Sequence, residues 1–318
     1  MTRPDIRTRS QTMPTICFLA STRGVPHNDN HERLPRAWEA AGWRVTRAEH
    51  DDVRLDARGV CAGAAPLAEF DLIWPIGLGQ RASFLDRMQL LSILDEQRFV
   101  TSPRALLMHH AKYSLPLGDL AAHHPQTFAS RDPNWLKAIV AGGGDWIAKP
   151  PAASFGRDVY RLRAGDPNLE VILHSLTGHD SSRYCLLQRY VAEIERGETR
   201  ILLADAEAIG AYLRAPGGDH RVNLSGDGEA HAIEPSVAEL DLARRVALQL
   251  LGHGIRFVAV DVAYPWIIEF NVANPGGLGT IERLTGVDLA PRVVAALTRG
   301  HPGISGSGRM SAATAPLR

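Results

Sequence analysis

The chain has 318 residues, with 35 Lys+Arg balanced by 35 Asp+Glu, 45% apolar residues and 22% charged residues. That composition supplies a full core and excludes wholesale disorder, while zero net charge argues against broad electrostatic binding to nucleic acid or an anionic bilayer. No run reaches ~18 consecutive apolar residues, so no transmembrane helix is expected, and three cysteines (Cys17, Cys61, Cys185) are too few for a disulfide framework or a four-thiolate zinc site.

The basic start, MTRPDIRTRSQTMPT, lacks the apolar segment of a secretory signal, so a cytoplasmic protein with a loose leader over 1–13 is expected. Thr15–Ala20 (TICFLA) is a short apolar run that reads as a buried strand. Leu34, Ala37, Trp38 and Ala41 share one helical face, closed by Gly42. Residues 43–46 and 71–75 (DLIWP) read as two further strands. Phe84, Met88, Leu91 and Leu94 mark a helix, and 99–101 another short strand. Strands alternating with helices predict a parallel α/β layer over 14–125, and no 20–50-residue repeat suggests a solenoid.

A second unit, 126–190, begins near Phe128. Asp132-Pro133 is a capping carboxylate followed by proline at the first helical position, and Gly142–Gly144 should end that helix. Strands are predicted at 146–149 (WIAK), 159–162 and 185–190, with a helix over 168–176. In a third unit, 191–300, residues 199–204 and 208–213 form a hairpin about 205–207, and 235–251 a long helix closed by Gly252. A second hairpin joins 256–262 to 266–270 about 263–265. The Gly/Ser/Ala-rich segment 301–318 reads as a flexible tail.

Three stretches carry chemistry. In VAVDVAYPWIIEFNVANPGG, Glu269 and Asn271 are two apart on one strand and leave the same face, and a tight hairpin brings Asp261 opposite them. Two carboxylates and an amide oxygen between strands of Val and Ile form a hard oxygen cage suited to Mg²⁺. In WIAKPPAASFGRDV, Lys149 ends a strand ahead of a loop with Ser154 and Gly156, a place for an ammonium and backbone N–H groups to hold a phosphate; the GxxxxGK[ST] pattern is absent. In CLLQRYVAEIERGETR, a strand runs into Gln188 and Tyr190 and then an acidic turn, where free backbone groups can meet an adenine edge and Glu198 the ribose hydroxyls.

In this order and spacing, the motifs resemble the ATP-grasp superfamily and most closely the bacterial glutathione synthetases, over about 13–298 and most strongly over 146–292. The resemblance implies an α/β protein, α+β in its C-terminal lobes: an ATP-grasp fold behind an N-terminal parallel α/β domain. It implies ATP binding by Lys112 (in MHHAKYSL), Lys149, Ser154 and Gly156, an adenine hinge at Gln188, Tyr190 and Val191, and a ribose acid at Glu198. Asp261, Glu269 and Asn271 match ligands of two Mg²⁺ ions, for which Mn²⁺ could substitute. Arg200 matches an arginine near the transferred phosphate, Arg221 and Asn223 an RxN segment near the reacting groups, and Arg214 an arginine at the acid substrate. The implied activity is an ATP-dependent carboxylate–amine ligase working through an acyl phosphate, with γ-glutamylcysteine and glycine as substrates. Small-molecule acid and amine partners, no nucleic acid, no membrane and a homo-oligomer complete the expectation. Segments 150–157 and 217–228 are candidate lids.

The sequence departs from the family at the substrate side. The phosphate loop lacks the usual KPLDGxGG and is closer to the GSxGxxV loop of ribosomal-protein glutamate ligases. WPIGLGQR, residues 74–81, replaces an MRKDPP-like segment and leaves Arg81 as a shifted contact for the acid's carboxylate. In NVANPGGLG, Asn274 and the glycines Gly276, Gly277 and Gly279 are expected to alter a loop beside the metal site. Two other readings stay open: ligation of a different amino acid or peptide, and a non-catalytic nucleotide-binding regulator. The pairs His109-His110 and His123-His124 lack zinc-site spacing and are expected at helix ends or loops, Cys185 is expected in the core, and Ser21–Gly24 beside a ligand or as a plain loop.

Overall fold

The computed structural model of the protein describes residues 13–21, 30–111, 113, 118–152, 158–216 and 229–299. The leader (apart from Met13), the tail and the segment 217–228 lie outside the described residues, as does most of the 150–157 loop.

The N-terminal layer runs β1 (Thr15–Ala20), α1 (Asn30–Ala40), β2 (Arg44–Glu49), β3 (Val53–Asp56), β4 (Gly59–Ala62), β5 (Ala65–Pro66), β6 (Leu72–Ile76), α2 (Phe84–Leu91) and α3 (Pro103–His109). β1 lies between β2 and β6, parallel to both, with Ala20 opposite Glu49 and Ile76. A strand covered on both faces must be apolar throughout, which TICFLA nearly is. The antiparallel β3–β4–β5 meander was not foreseen, because VRLD is largely solvent-facing and carries no apolar run. Three expectations fail in detail. Ala41 is exposed beyond the end of α1, Leu94 lies past the end of α2, and 99–101 makes only isolated bridges, Phe99 to Ile73 and Thr101 to Ile255.

At the exit of β2, His50 is fully buried beside the Gly77 backbone. Burial, aided by the nearby Arg87 guanidinium, pushes its pKa down to about 3. The folded protein therefore resists a proton that the unfolded chain accepts below about pH 6.5, so stability should fall with falling pH by about 1.4 kcal/mol per pH unit from this group. Urea unfolding between pH 7 and 4.5 should show a steeper loss in the wild type than in His50→Gln. Equal slopes would contradict this assignment.

The middle unit contains β7 (Thr127–Ser130), α4 (Pro133–Ala141), β8 (Trp146–Lys149), β9 (Tyr160–Leu162), α5 (Leu169–Thr177) and β10 (Cys185–Arg189). Its sheet, β7-β10-β8-β9, is antiparallel throughout. Asp132 caps α4 as expected, accepting from the N–H groups of Asn134 (2.9 Å) and Trp135 (3.3 Å). Leu136, Val140, Leu173, Cys185 and Leu187 belong to a core confined to this unit, and burial raises the Cys185 thiol to about 12.

The last unit contains β11 (Glu198–Ala204), β12 (Glu207–Ala215), β13 (Glu229–His231), α6 (Val237–Leu251), β14 (Phe257–Ala263), β15 (Trp266–Asn271), α7 (Leu278–Thr285) and α8 (Ala290–Thr298). The antiparallel order is β13-β12-β11-β14-β15. Asp205 and Ala206 both take positive φ, the backbone that lets a two-residue turn match the strands' twist. Gly279 lies in α7, so the expected glycine loop is shorter than 276–279. Ser236 and Glu239 form a capping box at α6, and Glu239 also accepts from Thr199 Oγ1 at 2.7 Å. Ser236→Ala should cost about 1 kcal/mol, read as a lower urea midpoint at unchanged slope.

Two cores join the N-terminal layer to this sheet: Cys17, Leu19 and Met88 cluster with Leu242 and Val260, and Phe18, Trp38 and Trp74 with Phe257 and Val293. Trp38 and Trp43, expected in the core, meet edge to face at 4.6 Å. At the seam between these units His109 Nε2 lies 2.7 Å from His253 Nδ1. No described helix is long and apolar enough to cross a membrane.

Candidate functional site

Strand register assembles a charged cluster on one face of the five-stranded sheet. On β14, Asp261 stands opposite Arg200 of β11 and Glu269 of β15, and Glu198 stands opposite Arg214 of β12. Directly opposed residues share a face, as do residues two apart, so Glu198, Arg200, Arg214, Asp261 and Glu269 must converge. Asn271, two beyond Glu269, joins them.

Every residue of β14 is buried, and Asp261 is fully so. A buried carboxylate is costly unless paired. Arg200 binds it with a two-pronged contact, Nε to Oδ1 at 2.8 Å and Nη2 to Oδ2 at 2.7 Å. Arg214 Nη2 adds a contact to Oδ2 at 2.8 Å and also pairs with Glu198. Burial would raise the Asp261 pKa, but Arg200 and Arg214 outweigh it and hold it below the ordinary value. For Glu198 the balance reverses. Burial pushes it up to about 7, opposed by Arg214 and reinforced by Asp261 and Glu269.

Asn271 Nδ2 approaches Asp261 Oδ2 (3.3 Å) and Glu269 Oε1 (3.4 Å), so turning the amide over would aim its oxygen at the same space. Three carboxylates face two guanidiniums, leaving one formal negative charge. Arg214 Nε is buried with no hydrogen-bond partner. The oxygen donors, together with the negative charge the cluster carries while Glu198 is ionised, fit a hard divalent cation. Among the described residues no three His, Cys, Asp or Glu side chains form a metal-binding group.

Glu269 also lines a small cleft between the middle and last units, with Lys149, Gln188, His124, Ile267, Ile268 and Phe270. Lys149 on β8 and Gln188 on β10 are both buried, and Lys149 Nζ donates to Gln188 Oε1 at 2.9 Å. The predicted phosphate lysine and the predicted hinge thus meet across adjacent strands. Tyr190 leaves β10, donates its hydroxyl to Glu195 Oε1 (2.8 Å) and lies under the Arg161 guanidinium at 3.7 Å; Val191 follows it, half-buried. His124, expected with His123 at a helix end or loop, also lines the cleft, a role the sequence reading did not assign. Its clue was its place three residues before β7. Burial holds its pKa down to about 4, with Lys149 adding to the effect, so its ring is neutral at pH 7.

The other predicted residues are less connected. Arg81 lies exposed in the turn before α2, with no described contact to the cluster. Arg214, expected at an acid substrate, has Glu198 and Asp261 as its described ion-pair partners. Lys112, Ser154, Gly156, Arg221 and Asn223 lie outside the described residues, as do Thr22–Gly24; Ser21 is buried at the end of β1.

Residues 114–286 match the prokaryotic glutathione synthetase ATP-grasp domain. The glutathione synthetase of Bordetella parapertussis is 33% identical over 246 residues, 74% of this chain and 75% of its own. That of Xanthomonas campestris is 32% identical over 223 residues, 69% and 70% of the two chains. Among solved structures, D-cycloserine synthetase DcsG superposes with a TM-score of 0.68 at 17% identity, covering 90% of this chain and 99% of its own. The ATP-grasp ligase PsnB with its minimal precursor gives 0.63 at 19% identity, with the same coverage. At such identities these two share the fold.

Proposed function

Because the chain belongs to the prokaryotic glutathione synthetase family of ATP-grasp ligases, we propose that it joins the cysteine carboxylate of γ-glutamylcysteine to the amine of glycine, turning ATP into ADP and phosphate. Ligases of this family use ATP and a divalent cation, which we take to be Mg²⁺. The observation that carries the reading is one cleft bounded by Lys149 and Gln188 on one side and by Glu269 on the other, with Asp261 and Arg200 in contact beside Glu269.

In this reading Lys149, Gln188, Tyr190, Val191 and Glu198 hold the nucleotide together with Lys112, Ser154 and Gly156. Asp261, Glu269 and Asn271 hold the cation. Arg221 and Asn223 serve the reacting groups, while Arg81 and Arg214, the latter through its unpartnered Nε, serve the acid. The units 14–125, 126–190 and 191–300 work as a homo-oligomer in the cytoplasm.

A carboxylate is a poor electrophile and must be activated. A carboxylate oxygen attacks the γ-phosphorus, the bond to the β-phosphate oxygen breaks, and ADP leaves an acyl phosphate. Arg200 and Lys149 offset the charge spread over the transferring oxygens. A cation bound beside them supplies further charge stabilisation without proton transfer. The neutral amine then attacks the acyl carbon, the carbon–oxygen bond to phosphate breaks, and the amine's proton passes to solvent. Water would hydrolyse the acyl phosphate, which gives the segments 150–157 and 217–228 work as covers.

The test is phosphate release from ATP and Mg²⁺ with γ-glutamylcysteine and glycine, with the product identified by mass. Release matched by glutathione supports the reading. Release only with another acid or amine transfers the assignment to that substrate, which the altered 74–81 segment favours. ATP binding with no release for any pair would make the chain a regulator.

A further inference from the structure

We infer that Asn30, a residue of the N-terminal layer outside the assigned site, is a positioning residue for phosphoryl transfer that acts by fixing Arg200; the inference rests on the ligase reading. Asn30 opens α1 and is only 1% exposed. Its side-chain amide donates to Asn274 Oδ1 at 3.0 Å and to the Pro275 carbonyl at 2.8 Å. One NH₂ group has two hydrogens, so both bonds form together.

These acceptors lie three and four residues beyond Asn271, the last residue of the metal strand. One residue earlier, the Ala273 carbonyl accepts from the N–H of Gly77 at 2.8 Å, where β6 ends. Gly77 has a φ of +90°, a backbone that favours glycine, and it occupies the WPIGLGQR segment that departs from the family. The N-terminal layer thus grips the strap after β15 at three successive residues, 273, 274 and 275.

The next residue turns to the catalytic side. The Gly276 carbonyl accepts from Arg200 Nη1 at 3.4 Å, while Nε and Nη2 of the same guanidinium bind Asp261. Gly277 follows with a φ of +139°, and a Cβ there would stand 2.9 Å from the Tyr212 ring, so the strap has little room to shift that way. A planar guanidinium gripped on two edges has its plane fixed. Asp261 supplies one edge and the strap the other. When a cation competes for Asp261, the Gly276 carbonyl is the grip that remains.

The variant Asn30→Asp replaces two donated hydrogens by an oxygen facing two oxygens, at nearly constant shape. It should lower kcat about 10- to 100-fold, the loss expected when a charge-stabilising group is misplaced by about 1 Å, and leave the KM for ATP within about twofold. In an Arg200→Lys background, which cannot use the strap in the same way, the further loss should be under about twofold. Affinity for Mg·ADP·fluoroaluminate, a mimic of the transferring phosphoryl group, should fall by the same factor as kcat, with affinity for a non-hydrolysable ATP analogue unchanged. That reading applies even if Arg200→Lys has no measurable rate. Equal losses in both backgrounds, a parallel loss of both affinities, or unchanged kcat in Asn30→Asp would overturn the inference while wild-type turnover stands. A wild type that releases no phosphate with any acid would overturn the ligase reading and this inference with it.

Discussion

Asp261→Asn should reduce ATP-dependent phosphate release by about a thousandfold or more, equivalent to about 4 kcal/mol of barrier. On the proposed reading the substitution removes a cation ligand; it also removes the partner that holds Arg200 through two hydrogen bonds and Arg214 through a third contact. Two buried guanidiniums would then share only Glu198 and Glu269. Breaking a buried pair costs about 3–5 kcal/mol, so the variant should also unfold at markedly lower urea. Phosphate release is therefore measured well below the variant's own unfolding transition. Turnover within tenfold of wild type under those conditions would remove Asp261 from the chemistry.

The second large effect is expected at Lys149, without such a penalty in stability. Lys149→Met keeps the stem and deletes the ammonium that donates to Gln188 Oε1. Losing one preorganised donor to a developing charge costs about 10²–10³ in rate. Leaving the buried Gln188 acceptor alone costs about 1–3 kcal/mol of stability. Phosphate-release kinetics and urea melts on the same sample separate the two. A rate within threefold of wild type would exclude Lys149 from phosphate handling. Taken together, the variants distinguish the faces of the cleft: loss at Asp261 reports the sheet with the charged cluster, and loss at Lys149 the sheet that faces it.

How much of this was legible in the sequence depended on distance along the chain. Asp261, Glu269 and Asn271 could be grouped because alternation along one strand and the hairpin expected about 263–265 put them on one face; the turn is in fact the two residues Tyr264-Pro265, and a bulge between Asp261 and Val262 restores the pairing with Glu269. The pairing of Arg200 with Asp261 could not, since β12, β13 and α6 intervene along the chain between β11 and β14, and no local pattern reports which strands become neighbours. Glu198 and Arg214 were each singled out for a ligand, yet their pairing depends on a bulge between Leu202 and Leu203 that shifts the count along the hairpin. Helix α4 was legible through its cap. α7 and α8 carry no such cap: Gly277 and Leu289 stand at their N-caps, and neither makes a side-chain cap bond. His124 escaped because its importance comes from Lys149 and Glu269 standing across the cleft, a property of packing. Asn30 escaped for the same reason: an asparagine before a helix reads as a cap, and its acceptors lie more than 240 residues away.

The most direct test of the account follows one oxygen atom. With γ-glutamylcysteine labelled by ¹⁸O in the cysteine carboxylate, the oxygen that attacks the γ-phosphorus must leave with phosphate when the amine displaces it. The account predicts inorganic phosphate carrying one ¹⁸O for every amide formed, alongside ADP. Unlabelled phosphate accompanying amide formation, or AMP and pyrophosphate in place of ADP, would contradict it.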